Sequence, residues 1–210
     1  TFPGRAVYPE NMFTGLIQHL GTVSDRSEEG NVIRLTIDKN GWDHDPCRGD
    51  SIAVNGCCLT VVEKTSRHLE FDMVRTTSDT TTLATLEIGA RVNLEHAATP
   101  TTLLGGHLVQ GHVESTGTVM ENHEMDERGW ILKIKTSAAL SRFLIKKGSI
   151  TVDGVSLTIA ETCEQTLEIA LIPETLERTT LSERQKGDLV NLEADCLAKM
   201  VSALLDRTPP

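Results

Sequence analysis

Sliding the chain along itself by 98 residues lays Ser51-Ile52-Ala53-Val54-Asn55-Gly56-Cys57-Cys58-Leu59-Thr60 on Ser149-Ile150-Thr151-Val152-Asp153-Gly154-Val155-Ser156-Leu157-Thr158. The match runs on without a gap to Val92-Asn93-Leu94-Glu95 on Val190-Asn191-Leu192-Glu193. Between residues 51 and 95, 18 of 45 positions are identical. At a slightly different offset, Gly15-Leu16-Ile17 matches Gly111-His112-Val113, and Gly21-Thr22-Val23 matches Gly117-Thr118-Val119. A repeat of this length constrains the fold more than any local propensity, because one supersecondary unit must serve twice. The chain therefore divides into domains at 12–97 and 107–195, followed by a C-terminal helix over 196–206. Residues 1–11 stand outside the repeat and read as a leader or an attached remnant ahead of a natural start at Met12.

Each half carries one sharp hairpin signal. Asn55-Gly56 and Asp153-Gly154 are dipeptides that accept two successive positive φ angles, the requirement of a type I′ turn. Past these turns, strand alternation puts Cys57, Leu59 and Val61 on one face and Cys58 and Thr60 on the other; Val155, Leu157 and Ile159 likewise separate from Ser156 and Thr158. Further strands are expected at 21–23, 32–37, 69–74 and 92–95, with partners near 118 and at 130–134, 167–172 and 190–193. Short strands with turn signals every 8 to 15 residues predict an all-β chain with a small barrel or sandwich in each half. With 3% aromatic residues the cores must be filled by Val, Ile, Leu and Thr.

Two helices are expected. Residues 137–147 begin with a hydroxyl at Ser137 and end on two lysines before Gly148, start and stop signals of a helix. At the C-terminus Asp195 can cap a helix whose Leu197, Met200, Val201, Leu204 and Leu205 form one apolar stripe.

The charge balance narrows the partners. Twenty Lys and Arg against 30 Asp and Glu give a formal charge of -10, without a basic block, so nucleic acid and anionic membrane surfaces are excluded as expected partners. No apolar run reaches the length of a spanning helix. The five cysteines (47, 57, 58, 163 and 196) form no framework and predict reduced thiols in a cytoplasmic protein. Neither a metal-ligand spacing nor a Gly-rich phosphate loop is present, so no metal and no cofactor are expected.

The halves agree in framework and differ where polar side chains would line a cavity: Cys58 is matched by Ser156, and Leu16 by His112. Two similar pockets for similar ligands would produce this difference, and so would drift in a structural repeat. Read from pattern, Cys58 is a nucleophile or a buried inert thiol, burial being the commoner state of a free Cys. His112 has the same two readings, and His107 in Gly105-Gly106-His107 could cap the linker with no catalytic part.

Five motifs in order carry a family resemblance. They are residues 12–17 (Met-Phe-Thr-Gly-Leu-Ile), 55–60 (Asn-Gly-Cys-Cys-Leu-Thr), 105–113 (Gly-Gly-His-Leu-Val-Gln-Gly-His-Val), 153–158 (Asp-Gly-Val-Ser-Leu-Thr) and 172–180 (Ile-Pro-Glu-Thr-Leu-Glu-Arg-Thr-Thr). Together they closely resemble the signatures of the riboflavin synthases of alpha-chain type, over residues 12 to about 205. The resemblance implies two similar six-stranded Greek-key barrels and a C-terminal helix that joins three chains. It implies conversion of two molecules of 6,7-dimethyl-8-ribityllumazine to riboflavin and 5-amino-6-ribitylamino-uracil without a cofactor. It admits association with lumazine synthase. A lumazine or flavin carrier of the same duplicated fold is the alternative, disfavoured by the intact motifs of the second half.

The same resemblance implies the site residues. The first pocket would comprise Gly15, Leu16, Ile17, Ser51, Cys58, Leu59 and Thr60, with Asp72, Met73, Val74, Arg75, Thr76 and Thr77. The second would comprise Gly111, His112, Val113, Lys147, Ser156, Leu157 and Thr158, with Ile172, Pro173, Glu174, Thr175, Leu176 and Glu177. Cys58, His112, Ser156, Thr158 and Asp195 are the expected catalytic residues, with Phe13 shaping the site. Which group is the general base, and whether Cys58 or a bound water adds to C-7 of the lumazine, stays open at this level.

Overall fold

The two hairpin signals hold in the computed structural model, which describes residues 12–125 and 129–206. Asn55 and Gly56 lie at φ 43° and 77°, and Asp153 and Gly154 at 45° and 82°. The first turn joins β3 (Ser51–Val54) to β4 (Cys57–Lys64), and the second joins β9 (Ser149–Val152) to β10 (Val155–Cys163). The first half adds β1 (His19–Glu29), β2 (Val32–Asp38), β5 (His68–Val74) and β6 (Arg91–His96). The second adds β7 (Ser115–Met125), β8 (Gly129–Lys135), β11 (Thr166–Leu171) and β12 (Leu189–Ala194). Each half closes into an antiparallel six-stranded barrel, in the orders β1-β2-β5-β4-β3-β6 and β7-β8-β11-β10-β9-β12. The expected leader at residues 1–11 lies outside the described residues.

The repeat extends to the irregularities. Register shifts fall between Val23 and Asp25 and between Val119 and Glu121, and again between Val61 and Glu63 and between Ile159 and Glu161. Such bulges bend a strand where a small barrel must curve. Alternation then fills the interiors: Cys57, Leu59, Val61, Val155, Leu157 and Ile159 are buried, whereas Cys58 and Ser156 are half-buried and Thr60 and Thr158 exposed. The loop before β3 adds Trp42 to the first core, and the segment before β9 adds Leu140 and Leu144 to the second.

The helix expected over 137–147 shrinks to α2 (Ala138–Ser141), one turn capped by the Ser137 hydroxyl. Beyond it the bonds run from Phe143 N to Leu140 O and from Leu144 N to Ser141 O, three residues apart. Leu140 and Leu144 must both enter the barrel core while the chain turns toward β9, and Lys147 takes positive φ (67°) ahead of Gly148. Two short helices escaped the sequence reading: α1 (Arg75–Thr80) and α3 (Pro173–Arg178), each followed by a 3-10 turn, Thr82–Thr85 and Thr180–Glu183. The C-terminal helix, α4 (Cys196–Leu205), forms as expected, with Asp195 accepting a hydrogen bond from Leu197 N at 2.9 Å.

The barrels meet hairpin to hairpin across a pseudo-two-fold. Asn93 Nδ2 donates to Asp153 O and Asn191 Nδ2 to Asn55 O, both at 2.8 Å. Asn93 Oδ1 accepts from Thr180 N, and Asn191 Oδ1 from Thr82 N. Gly56 and Gly154 touch here: a Cβ on either would stand 2.6 or 2.7 Å from the other's backbone nitrogen.

Candidate active site

Buried carboxylates at the ends of β6 and β12 position the segments that lead into each barrel. Glu95 accepts from Thr14 N and Thr14 Oγ1, both at 2.7 Å, and from Gly15 N at 3.0 Å. Its counterpart Glu193 accepts from the N–H groups of Gln110, Gly111 and His112 at 2.8, 2.9 and 3.0 Å. Burial pushes both carboxyls above the ordinary range, against the pull of these bonds.

The leading segments are exchanged between barrels. Gly15 O accepts from Ser156 N, and Gly111 O from Cys58 N, both at 2.8 Å. Ile17 packs against the second core and Val113 against the first. The grouping of Gly15, Leu16 and Ile17 with Cys58, taken from the resemblance, is therefore corrected. Gly15–Ile17 join Ser156, Leu157 and Thr158; Gly111–Val113 join Cys58, Leu59 and Thr60. The antiparallel bridge between Phe13 and Val109 locks the exchange, and Phe13 is wholly buried there with Ala53.

Around the first barrel, Ser51 and Ala53 oppose Thr60 and Cys58 across β3 and β4. Burial raises the Cys58 thiol, opposed by a hydrogen bond with Ser51, and pushes the Cys57 thiol up to about 12, so both are neutral at pH 7. His112 is exposed. Asp72 is bound by Arg34 at 2.7 and 2.9 Å, which holds its carboxyl below the usual carboxylate range. Val74, Arg75 and Thr76 are exposed at the start of α1 and Thr77 is half-buried, whereas Met73 points into the core and offers a pocket only its backbone, as do Leu59 and Leu157.

The second barrel holds a group that the sequence reading set aside. His107 is buried, its Nδ1 2.7 Å from Ser156 Oγ and its Nε2 3.3 Å from Thr151 Oγ1. The neutral tautomer protonated on Nε2 satisfies both contacts. Burial lowers the His107 pKa, with Asp195 pulling weakly the other way. The first-barrel counterparts of Ser156 and Thr151 are Cys58 and Ala53, so this relay exists once. Gly106 admits it, since a Cβ there would meet Thr14 O at 2.1 Å and the Ser156 side chain near 3 Å. His107, for which capping the linker was one open reading, is thus bonded into the second barrel; the Gly-Gly preceding it was the available signal. Thr158 and Lys147 are exposed beside this surface, Lys147 N donating to Ile159 O. Ile172, Pro173, Glu174 and Glu177 are exposed on α3 and its cap, with Glu174 paired to Arg178, while Thr175 is half-buried and Leu176 packs on the core. Asp195 is engaged as the α4 cap. Among the described residues no group of three or more His, Cys, Asp or Glu is arranged to hold a metal ion.

A sequence profile of the lumazine binding domain matches residues 14–97 and again 110–195. The chain is 42% identical to the riboflavin synthase of Mycobacterium tuberculosis over 92% of its own length and 98% of that protein's. It is 40% identical to that of Bacillus subtilis, covering 93% and 91%, and 37% identical to that of Actinobacillus pleuropneumoniae, covering 94% and 92%. Its structure resembles LumP complexed with 6,7-dimethyl-8-(1'-D-ribityl) lumazine, with TM-score 0.77 and 29% identity over 87% of this chain and 98% of that one. With two copies of the domain in series and such identity sustained along the whole repeat, the chain belongs to the riboflavin synthase family of duplicated lumazine-binding barrels.

Proposed function

We propose that the chain is a riboflavin synthase: it transfers a four-carbon unit between two molecules of 6,7-dimethyl-8-ribityllumazine, giving riboflavin and 5-amino-6-ribitylamino-uracil. The observation that carries this reading is the pair of related surfaces with unequal polar groups. Cys58 and His112 lie on one, and the Thr151–His107–Ser156 relay on the other. Two copies of one substrate need two similar surfaces, and a donor and an acceptor need different ones.

The chemistry asks for a base to take a proton from the 7-methyl group of one lumazine and for a nucleophile at C-7 of the other. Ser156, donating to neutral His107, is placed to pass a proton inward. Cys58, held as a thiol, is a weak nucleophile, which leaves addition at C-7 to water. Thr158, Lys147 and the α3 residues are assigned to the ribityl chain and ring edge of one lumazine, and Thr60 with residues 72–77 to the other. Holding two heterocycles face to face replaces a bimolecular encounter by an oriented one.

The surface that faces each of these across the reaction is assigned to a second chain. Leu197, Met200, Val201 and Leu205 of α4 are exposed, and a groove of about 290 Å³ beside them is lined by Phe143, Ile145 and Ser149. A ten-residue helix is marginal in water by itself and gains its stability from packing. This supports a homotrimer joined through α4. Five free cysteines suit a reducing cytoplasm, and no helix among the described residues is long and apolar enough to cross a membrane.

The test is to mix the purified protein with the lumazine, without metal or nucleotide and after chelation, and follow riboflavin absorbance. Riboflavin forming at twice the molar cost in lumazine is expected. The likeness to LumP favours a carrier as the second reading, and tight lumazine binding without conversion over hours would establish it.

A further inference from the structure

We propose that Lys199 on α4 is a positioning residue for the segment Gln110–His112, acting through Glu114 and Glu193; this rests on the functional reading above. Glu114 Oε1 forms an ion pair with Lys199, while its Oε2 accepts from Ala194 N at 3.2 Å at the end of β12. Both side chains of the pair are only about a quarter exposed, 23% for Lys199 and 27% for Glu114. One residue back on β12, Glu193 holds the N–H groups of Gln110, Gly111 and His112, and Gly111 O in turn accepts from Cys58 N. The apolar helix face that supports assembly is thus tied in a few bonds to the segment bearing His112.

The duplication provides the comparison. Glu95 does for Thr14 and Gly15 what Glu193 does for 110–112. The counterpart of Glu114 is Gln18, whose Oε1 accepts from His96 N at 3.1 Å, and the counterpart of Lys199 is Thr101. The first barrel therefore makes the same brace from a neutral hydrogen bond. Charge enters only in the second copy, where a helix follows the barrel.

An extra carboxylate beside buried Glu193 would raise the cost of ionising it, and the Lys199 ammonium offsets that cost. The ionised form suits these three N–H donors, since a protonated Glu193 would add an O–H that none of them can accept. The titratable and charged groups around it are Lys199 and Cys196 from α4, Glu114 just ahead of β7, Cys57 and Cys58 from β4, and the His112 ring on the held segment. Removing Lys199 makes Glu193 easier to protonate and loosens the segment as pH falls.

Full-length Lys199→Gln, Lys199→Arg and Glu114→Gln decide the matter. In Lys199→Gln, amide exchange at residues 110–112 should quicken about tenfold. The kcat should fall about tenfold with KM held within about twofold. The acid limb of kcat/KM should move to higher pH, and Lys199→Arg should restore all three. Unchanged exchange and an unmoved acid limb would overturn the proposal. If Lys199→Gln disperses the assembly, Glu114→Gln, which lies off the apolar face, decides at the wild-type sedimentation coefficient: with one carboxylate fewer beside Glu193 the acid limb should move to lower pH, and an unmoved limb would overturn the proposal. Should the wild type make no riboflavin, the functional reading fails while the exchange result still decides the positioning role.

Discussion

Burial takes His107 below the ordinary imidazole range, and the Ser156 hydroxyl 2.7 Å from Nδ1 gives the neutral ring a proton to accept. His107→Ala and Ser156→Ala are each expected to lower kcat by about 10²-fold or more, the double mutant falling no further than the worse single, in a riboflavin absorbance assay. Because the folded pKa lies below the unfolded value of about 6.5, the unfolded chain binds the proton first. Stability from His107 is therefore full above that value and declines as pH falls through it toward the folded pKa, which urea midpoints at pH 7 and pH 5.5 should register. A second residue-level difference lies at the hairpins. Asp153 is wholly buried and bonded to Arg184 at 2.8 Å, whereas in the first copy the counterpart of Arg184 is Leu86 and the Nδ2 of Asn55 is buried without a hydrogen-bond partner among the described residues. Arg184→Leu strands a buried carboxylate and should cost about 3 to 5 kcal/mol in urea unfolding. Adding Asp153→Asn recreates the pattern of the first copy and should recover most of that loss.

At the scale of elements, the decisive one is α4. Its stripe was readable because period 3.6 and an Asp cap need no tertiary partner to be recognised. Leu197→Glu with Val201→Glu should convert the sedimentation pattern to that of single chains and abolish turnover, while far-ultraviolet circular dichroism keeps its β signature. A fully active single chain would refute both the assembly and the shared site. The segment before β9 teaches the opposite case: capping and charge signals at Ser137 and Lys146-Lys147 were genuine, yet burying Leu140 and Leu144 in one barrel core overrode helix continuation after one turn. α1 lacked such signals, its cap Val74 making no side-chain hydrogen bond and its turns carrying no complementary charge, whereas α3 has Pro173 at its start, Glu174 in its first turn and Arg178 in its last, signals spread over only six residues.

On the scale of the whole molecule, the exchange of leading segments makes each barrel depend on the other's entry strand. A fragment of residues 12–97 lacks the Gly111 carbonyl that binds Cys58 N and the strand that pairs with Phe13, whereas 12–113 retains both. The shorter fragment is expected to unfold at a clearly lower urea concentration than the longer one, and equal midpoints would show that the exchanged segment carries no stability.

The sequence by itself determined the duplication, the two type I′ hairpins, the inward and outward faces of β4 and β10, and α4. Each of these is written in local periodicity or in residues such as Asn-Gly and Asp-Gly whose backbone preference survives any context. Tertiary structure alone decided which segment meets which barrel, and so moved Gly15–Ile17 to Ser156 and Gly111–Val113 to Cys58. It also made His107 a partner of Ser156 and tied Lys199 to Glu114. These pairings join residues 49 to 141 positions apart, brought together by barrel closure and the pseudo-two-fold, and no short-range pattern along the chain encodes a contact at that separation.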